Sequence, residues 1–352
     1  MANIQEVARR AGVSISTVSR VLNGTARVND DVKVRVLAAI EELEYRPSRA
    51  ARSLRANYST IIGLLISDIQ NPFFMDLIKG VEEVALRNGY CVLLCNSDEN
   101  PQRERQYLEV LYDERVAGLI IVPTREHLRD LERFRERNIP IVAVDRRVKD
   151  KSIDAVLVDN VRGANEAVTH LIAHGYRRIG AIVGPKAITT GYERLLGYRQ
   201  ALEAANIAHD PGLEKFGTFK EESGRKATNE LLALSPPVDA LFVGNNFMTM
   251  GALDVLHARG LLVPDDVALI GYDAMPWAAL DSISLTTVSQ PVYELGTTAA
   301  LRLFQRLQNP TEQTRQEIIL TPTLRIRGSS VPLQQPANAL SSIVIETSLD
   351  ER

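Results

Sequence analysis

The sequence predicts an all-α helix-turn-helix headpiece followed by an α/β core of two doubly wound parallel-sheet subdomains. Three observations predict it. Before Pro47, apolar residues recur at helical spacing. From Ile61 on, short apolar runs alternate with charged helical stretches, which is the pattern of βα units in parallel sheets covered on both faces. After Asp159 the alternation starts again, with His174-Gly175-Tyr176 echoing Asn88-Gly89-Tyr90.

In Met1 to Asn23, Ile4, Val7, Ala8 and Ala11 make one helical face. Asn3 and Glu6 form a capping box that starts this helix, and Gly12 breaks it. Ser14 caps a second helix with Val18, Val21 and Leu22 turned inward. Two short helices joined by a tight turn with glycine give the helix-turn-helix pattern. Ile15, Ser16, Ser19, Arg20 and Asn23 lie on the outer face, with Ser14 and Thr17 at its start. A small, polar face that carries a guanidinium suits a helix lying in a DNA major groove. Asn29 or Asp30 caps a third helix, with Val32, Val36, Leu37, Ile40 and Leu43 inward and Pro47 at its end. So small a unit is marginally stable alone.

Ser48–Arg55, SRAARSLR, can form a helix but is too short to hold one in water, because nucleation is costly. It reads either as a plain linker or as a hinge that folds only on binding.

In the core, IIGLLI is a buried strand, and the helix after Pro72 ends at Asn88-Gly89. CVLLC, GLIIVP and PIVAVD are further strands of the first half; RIGAIV, ALFVG and VALIGY belong to the second. Ligands in this architecture bind beyond the carboxyl ends of the strands, here a cleft between two sheets. Those ends carry Asn71, Phe73 and Phe74, then Asp145 and Arg146, then Thr190 and Arg194. Phe219, Asn245, Asp273, Trp277 and Gln290 complete the set, and Asp273 and Arg194 are expected to face each other across the cleft. Carboxylates, guanidinium groups and amides pair with hydroxyls, and aromatic faces cover the C–H surface of a sugar ring. Each residue also has a plainer reading: Asp145 and Asp273 as helix caps, Phe73 as core, Arg194 as a solvated helix residue.

The chain has 352 residues, enough for two or three domains, and is 45% hydrophobic and 24% charged, as soluble globular proteins are. No apolar run is long enough to span a membrane, and the N-terminus shows no apolar signal region, so a cytoplasmic protein is expected, on the nucleoid when bound to DNA. The net charge of −3 divides into +4 for residues 1–59 and −7 for the rest. A basic head on an acidic body fits a polyanion at one end. Cys91 and Cys95 share one strand-like run, about 13 Å apart along it and too far for a disulfide, and are expected as reduced core residues. His170 and His174 lie four apart, but HLIAH lacks the Glu of a zinc-protease helix, so no metal is expected. No phosphate-binding glycine loop or nucleophile elbow occurs, and no cofactor is expected. Residues 329–352 are expected to form a disordered tail.

VARRAGVSISTVSRVLNG, then VRVLAAIEELEYRP, then ARSLR resemble the lactose/galactose-repressor family of bacterial transcription regulators, and the resemblance runs to about Gly328. It implies a headpiece at 1–46, a hinge helix at 47–59 and an effector-binding, dimerising core at 60–328 with the fold of periplasmic binding proteins. The N-subdomain would hold about 60–160 and 289–322, and the C-subdomain about 161–288 and 323–328. The hinge would enter the minor groove, Leu54 wedging a base step beside Ala51 while Arg49, Arg52 and Arg55 hold phosphates. The expected partners are a palindromic operator, a second copy of the chain and a small neutral sugar. The strand-end residues resemble the sugar contacts of pentose-binding periplasmic proteins. Ile188 stands where purine-responsive relatives carry an arginine. A sugar transport-binding protein and a cleft enzyme are the alternatives; the headpiece argues against the first and the missing motifs against the second.

Overall fold

The computed structural model describes residues 3–23, 28–45, 59–126, 129–279, 284–311 and 314–331. The hinge positions Arg49, Ala51, Arg52, Leu54 and Arg55 lie outside the described residues, as do the side chains of Asn23 and Trp277 and, of the expected tail 329–352, the part from Pro332. Ser329 and Ser330, expected in that tail, are instead buried, because Ser329 Oγ donates to the Leu269 carbonyl at 2.6 Å and holds the segment against the second sheet. The chain divides into two units, Met1–Thr60 and Ile61–Arg352.

In the first unit, helix α1 (Ile4–Ala11) starts with a reciprocal cap: the Glu6 amide donates to the Asn3 side chain at 2.9 Å, and the Asn3 amide donates to the Glu6 carboxylate at 3.1 Å. Gly12 closes it at φ 65°, a left-handed turn that glycine adopts without strain. Helix α2 (Ile15–Asn23) begins where Ser14 Oγ accepts the Thr17 amide at 3.2 Å. Helix α3 (Asp30–Glu42) is capped by Asn29. Val7, Ala8, Ala11, Val18, Val36 and Ala39 form the buried centre, with Val21, Leu22, Val32, Ile40 and Leu43 packed around it.

Two expectations for α3 fail. Leu37 is 49% exposed, because it sits one position off the Val36–Ala39–Ile40 stripe and therefore turns outward. The helix also stops at Glu42, well before Pro47: Glu44 takes a left-handed φ of 45°, and the Tyr45 amide bonds back to the Ile40 carbonyl at 2.9 Å.

The second unit alternates strands and helices: β1 (Ile61–Ile66), α4 (Phe73–Arg87), β2 (Cys91–Asn96), α5 (Pro101–Asp113), β3 (Gly118–Ile121), α6 (Glu132–Glu136), β4 (Ile141–Val144) and β5 (Asp154–Val158). Then come α7 (Asn160–Ala173), β6 (Ile179–Val183), α8 (Thr189–Ala204), β7 (Glu214–Phe216), α9 (Glu221–Leu232), β8 (Ala240–Val243), α10 (Asn246–Ala258) and β9 (Ala268–Tyr272). Strand β10 (Thr286–Ser289), α11 (Val292–Gln308), β11 (Glu317–Leu320) and β12 (Thr323–Arg325) complete it.

The strands make two six-stranded sheets, ordered β11-β5-β4-β3-β1-β2 and β12-β10-β9-β8-β6-β7. Every pairing is parallel except that of β10 with β12. The chain crosses between sheets three times: after β5, after β10, and between β11 and β12. Central strands such as β3, β4, β8 and β9 are buried along their whole length, as strands covered by helices on both faces must be. Helix α11 returns to the first half and lies close on α4: a Cβ on Gly80 would stand 2.5 Å from the Tyr293 carbonyl oxygen. Its Arg302 and Arg306 both reach the buried Asp154 at 2.7 Å, fixing α11 to the start of β5.

Cys95 is buried, and desolvation pushes its thiol up to about 11. Cys91 is exposed rather than core, because β2 is an edge strand and Cys91 opens it.

Candidate functional site

The carboxyl ends of the two sheets face one pocket, partly open to solvent. From the first half it receives Asp68, Asn71, Phe73, Phe74, Glu99, Asp145 and Arg146; from the second, Thr190, Arg194, Phe219, Asn245 and Asp273. Gln290 enters from the crossing after β10.

Four of these residues, Glu99, Asp145, Phe219 and Asp273, have left-handed backbones at φ 54°, 67°, 63° and 69°. Non-glycine residues rarely sit there, and such strain gathers at functional sites. Here it turns the chain sharply where a strand ends. Neither aspartate caps a helix, so that plainer reading fails. Asn245 does both jobs: its Oδ1 caps α10 at the Met248 amide, and its Nδ2 holds the Phe219 carbonyl at 2.9 Å. Phe73 is at once a core residue and a pocket wall, edge-on to Phe74 at 5.0 Å.

On the first wall, Glu99 takes Arg146 in a fork, at 2.8 and 2.6 Å. Burial works against the Arg146 charge, but Glu99 and Asp145 hold its proton more firmly than usual. Asn71 Oδ1 accepts from the Phe73 amide and, across the cleft, from Asn246 Nδ2 at 2.8 Å. On the second wall, Arg194 donates to Asn160 Oδ1 at 2.9 Å and to the Gly244 carbonyl at 2.6 Å, and stacks on Tyr272. Its guanidinium lies 3.9 Å from Asp273, which also accepts from Gln290. Arg194 and Asp273 therefore belong to the same wall, from α8 and the end of β9, and do not face each other across the cleft. The groups that bridge the cleft include Asn71 with Asn246 and Lys220 with Asp68.

Burial raises both aspartates. Asp145 reaches about 6, despite the opposing pull of Arg146 and Arg194. Asp273 is raised too, against Arg194 and the Gln290 hydrogen bond. Two polar atoms in the pocket, Arg146 Nε and Gln290 Oε1, are buried with no hydrogen-bond partner. One is a donor and the other an acceptor, and each costs free energy until something bonds to it.

Every sequence-derived cleft residue except Trp277, whose side chain is not described, lines this pocket. Sequence reasoning missed Glu99 as a pocket residue. The signal was available, since Glu99 lies just past the carboxyl end of β2. It also missed the strand β5.

In the headpiece, Ile15, Ser16 and Arg20 of α2 are exposed, whereas Thr17 and Ser19 are half-buried. Ser14 is committed to capping, and its Oγ lies 2.7 Å from Ser16 Oγ and 2.9 Å from Thr17 Oγ1.

Residues 3–48 match the family described as bacterial regulatory proteins, lacI family, and residues 59–326 match the periplasmic binding proteins and sugar binding domain of the LacI family. The chain belongs to the lacI family. Among lacI-family relatives, the ribose operon repressor of Escherichia coli (strain K12) is 39% identical over 94% of this chain and 100% of its own length. The HTH-type transcriptional repressor PurR of Photorhabdus laumondii is 40% identical over 94% and 97%. The crystal structure of the lac repressor dimer bound to operator and the anti-inducer ONPF superposes with a TM-score of 0.81 at 27% identity, covering 94% of this chain and 99% of that one. This lacI-family chain is thus a DNA-binding transcription regulator with a core of the sugar-binding type, and not an enzyme. Among the described residues, no helix is long and apolar enough to cross a membrane.

Proposed function

We propose that the chain is a repressor that holds a palindromic operator as a homodimer and releases it when a neutral pentose, ribose in the first instance, fills the cleft. The observation that carries the effector reading is the pair of pocket atoms without a hydrogen bond, Arg146 Nε, 3.6 Å from the Asp145 carboxylate, and Gln290 Oε1. A sugar hydroxyl both donates and accepts, so a polyol can satisfy both kinds of atom. Phe73, Phe74 and Phe219 supply apolar faces for the ring carbons. Asp68, Glu99, Asp145 and Asp273 outnumber Arg146 and Arg194 in the lining, which disfavours an anionic effector such as a sugar phosphate. Ile188, buried and apolar, stands where purine-responsive members of the family carry an arginine, which disfavours a purine.

The operator reading rests on α2. Ile15, Ser16 and Arg20 are the exposed residues that would meet base edges, and the two-fold pairing of headpieces calls for a palindrome. The name of the ribose operon repressor and the dimeric lac repressor on its operator support the same reading. The hinge would supply Leu54 as the minor-groove wedge at the centre of the site.

A thermal-shift screen of pentoses, hexoses and their phosphates tests the effector. A ligand at about 100 times its Kd adds about 2.7 kcal/mol to stability. Ribose should raise the melting temperature and release the protein from operator DNA in a gel-shift assay, and ribose phosphates should do neither. Stabilisation by a phosphate or a purine instead of any pentose would contradict this reading.

A further inference from the structure

The three crossings between the halves lie at one side of the molecule, where β5 and β11 end one sheet and β10 and β12 end the other. The opposite edges are β2 and β7. A cleft that opens about its crossing segments moves those far edges furthest. Arg147, just past β4, pairs with Glu193 of α8 close to the crossing side. At the far edge the halves are joined by Lys220, just past β7: its Nζ donates to Asp68 Oδ2 at 2.7 Å and to Asp98 Oδ1 at 3.2 Å.

The setting of this bridge ties it to the pocket. Lys220 is next in the chain to Phe219, whose ring lies 5.3 Å from the Arg146 guanidinium of the other half. The Lys220 carbonyl is held by Ser223 Oγ at 2.7 Å, so its backbone is fixed at the start of α9. Asp68 is buried and lines the pocket. Asp98 and Glu99 are consecutive left-handed residues, at φ 53° and 54°, and Glu99 is the partner that forks onto Arg146. One short loop after β2 thus grips the cross-cleft lysine with one carboxylate and the pocket arginine with the next.

We propose that Lys220 is a latch: its bridge to Asp68 and Asp98 sets how completely the cleft closes, and so brings Arg146 and Phe219 onto the sugar without itself touching it. The inference rests on the sugar reading of the pocket. Lys220 is a positioning residue, and only the closed fraction of the protein binds at full strength, so apparent affinity scales with that fraction.

A neutral sugar brings no charge, so its own contacts are nearly blind to salt. The Lys220 side chain is 37% exposed, and its ion pairs are open to screening. Ribose binding is therefore measured by calorimetry at low and high salt for the unsubstituted chain, Lys220→Gln, Lys220→Arg and Asp98→Asn. The unsubstituted chain should lose affinity as salt rises. Lys220→Gln should bind about tenfold more weakly at low salt, about 1.4 kcal/mol, with the salt dependence largely gone. Lys220→Arg should restore both, and Asp98→Asn should fall between.

Closure is read separately, without sugar, from spin labels at Gln106→Cys and Lys226→Cys in a Cys91→Ser background. Lys220→Gln should lengthen the distance between the labels. Equal affinity, equal salt dependence and equal label distance in the Lys220→Gln and unsubstituted proteins would overturn the latch. If no pentose binds at all, the sugar reading fails, and the label distance alone decides for or against the latch.

Discussion

Glu99 and Arg146 form a forked ion pair, 2.6 and 2.8 Å, on the wall of the cleft, with the guanidinium almost wholly buried. The fork uses both terminal nitrogens of Arg146 and leaves Nε buried without a hydrogen bond, 3.6 Å from the Asp145 carboxylate. Glu99 thus aims the arginine, and the remaining nitrogen is left for a ligand. Glu99→Gln should keep the fold but let Arg146 turn, costing roughly 1.5–3 kcal/mol of ribose affinity, the range for a hydrogen bond to a charged group. Calorimetry on the folded variant checks this, and unchanged affinity would mean that Asp145 and the Pro123 carbonyl suffice to orient Arg146.

Asp273 touches Arg194 and Gln290, and all three belong to the proposed sugar site. Asp273→Ala should lower ribose affinity by roughly 2–3 kcal/mol. Arg194→Ala should do more harm, because Arg194 also bonds Asn160 and the Gly244 carbonyl and so braces the first crossing. Its melting temperature should fall together with its affinity, whereas Asp273→Ala should lose affinity chiefly. Full affinity in both variants would place the ligand elsewhere.

Acid should reveal two opposite carboxylates. Burial lifts Asp145 to about 6 from its ordinary 3.8, so the folded state holds this proton more tightly than the unfolded state. Between those values stability should fall as pH rises, and Asp145→Asn should remove that slope. Burial also acts on Asp154, but its hydrogen bonds with Arg306, Gln316 and Arg302 outweigh it and hold the carboxyl below its usual value. The stability from Asp154 is present above the ordinary carboxylate range and is lost as pH falls through its depressed value. Denaturation midpoints against pH for Asp145→Asn and the unsubstituted chain test the first sign. A steeper slope in the variant would contradict it.

Arg20 is the exposed guanidinium of α2, on the face with Ile15 and Ser16. Arg20→Ala should cost about 1–3 kcal/mol of operator affinity and relax one position in each half-site. Leu54→Ala should reduce operator bending and weaken specific binding while sparing non-specific binding. Selection from random DNA and a permuted-site gel assay read these outcomes. An unchanged selected motif would make Arg20 a phosphate contact, and equal bending would remove the wedge.

Much of this site is legible in the sequence for a simple reason. Asn71, Asp145, Asn245 and Asp273 each stand just past an apolar run, and parallel strands deliver the residues after their carboxyl ends to one side of the sheet. The illegible part depends on distance across the fold. Glu99 lies past the end of a strand as plainly as Asp145 does, but only the tertiary structure brings it to Arg146, 47 residues away. Strand composition says nothing of walls, so in the sequence Arg194 and Asp273 can be taken for opposed residues when they stand side by side. Lys220 is one more charged residue before a helix until Asp68, 152 positions earlier, stands beside it. In α3, Leu37 reads as core because apolar spacing alone cannot separate a residue on the buried stripe from one a single position off it.

A repressor controlled by a sugar requires that the cleft and the headpiece exchange free energy. Such coupling is reciprocal: if sugar weakens operator binding, saturating operator must weaken sugar binding by the same factor. The direct measurement is ribose affinity, by calorimetry or fluorescence, with and without saturating operator. The expected result is a weaker affinity on operator by about 5–150-fold, the range for coupling of about 1–3 kcal/mol. Identical affinities would contradict the account, because a cleft that does not sense the operator cannot control it.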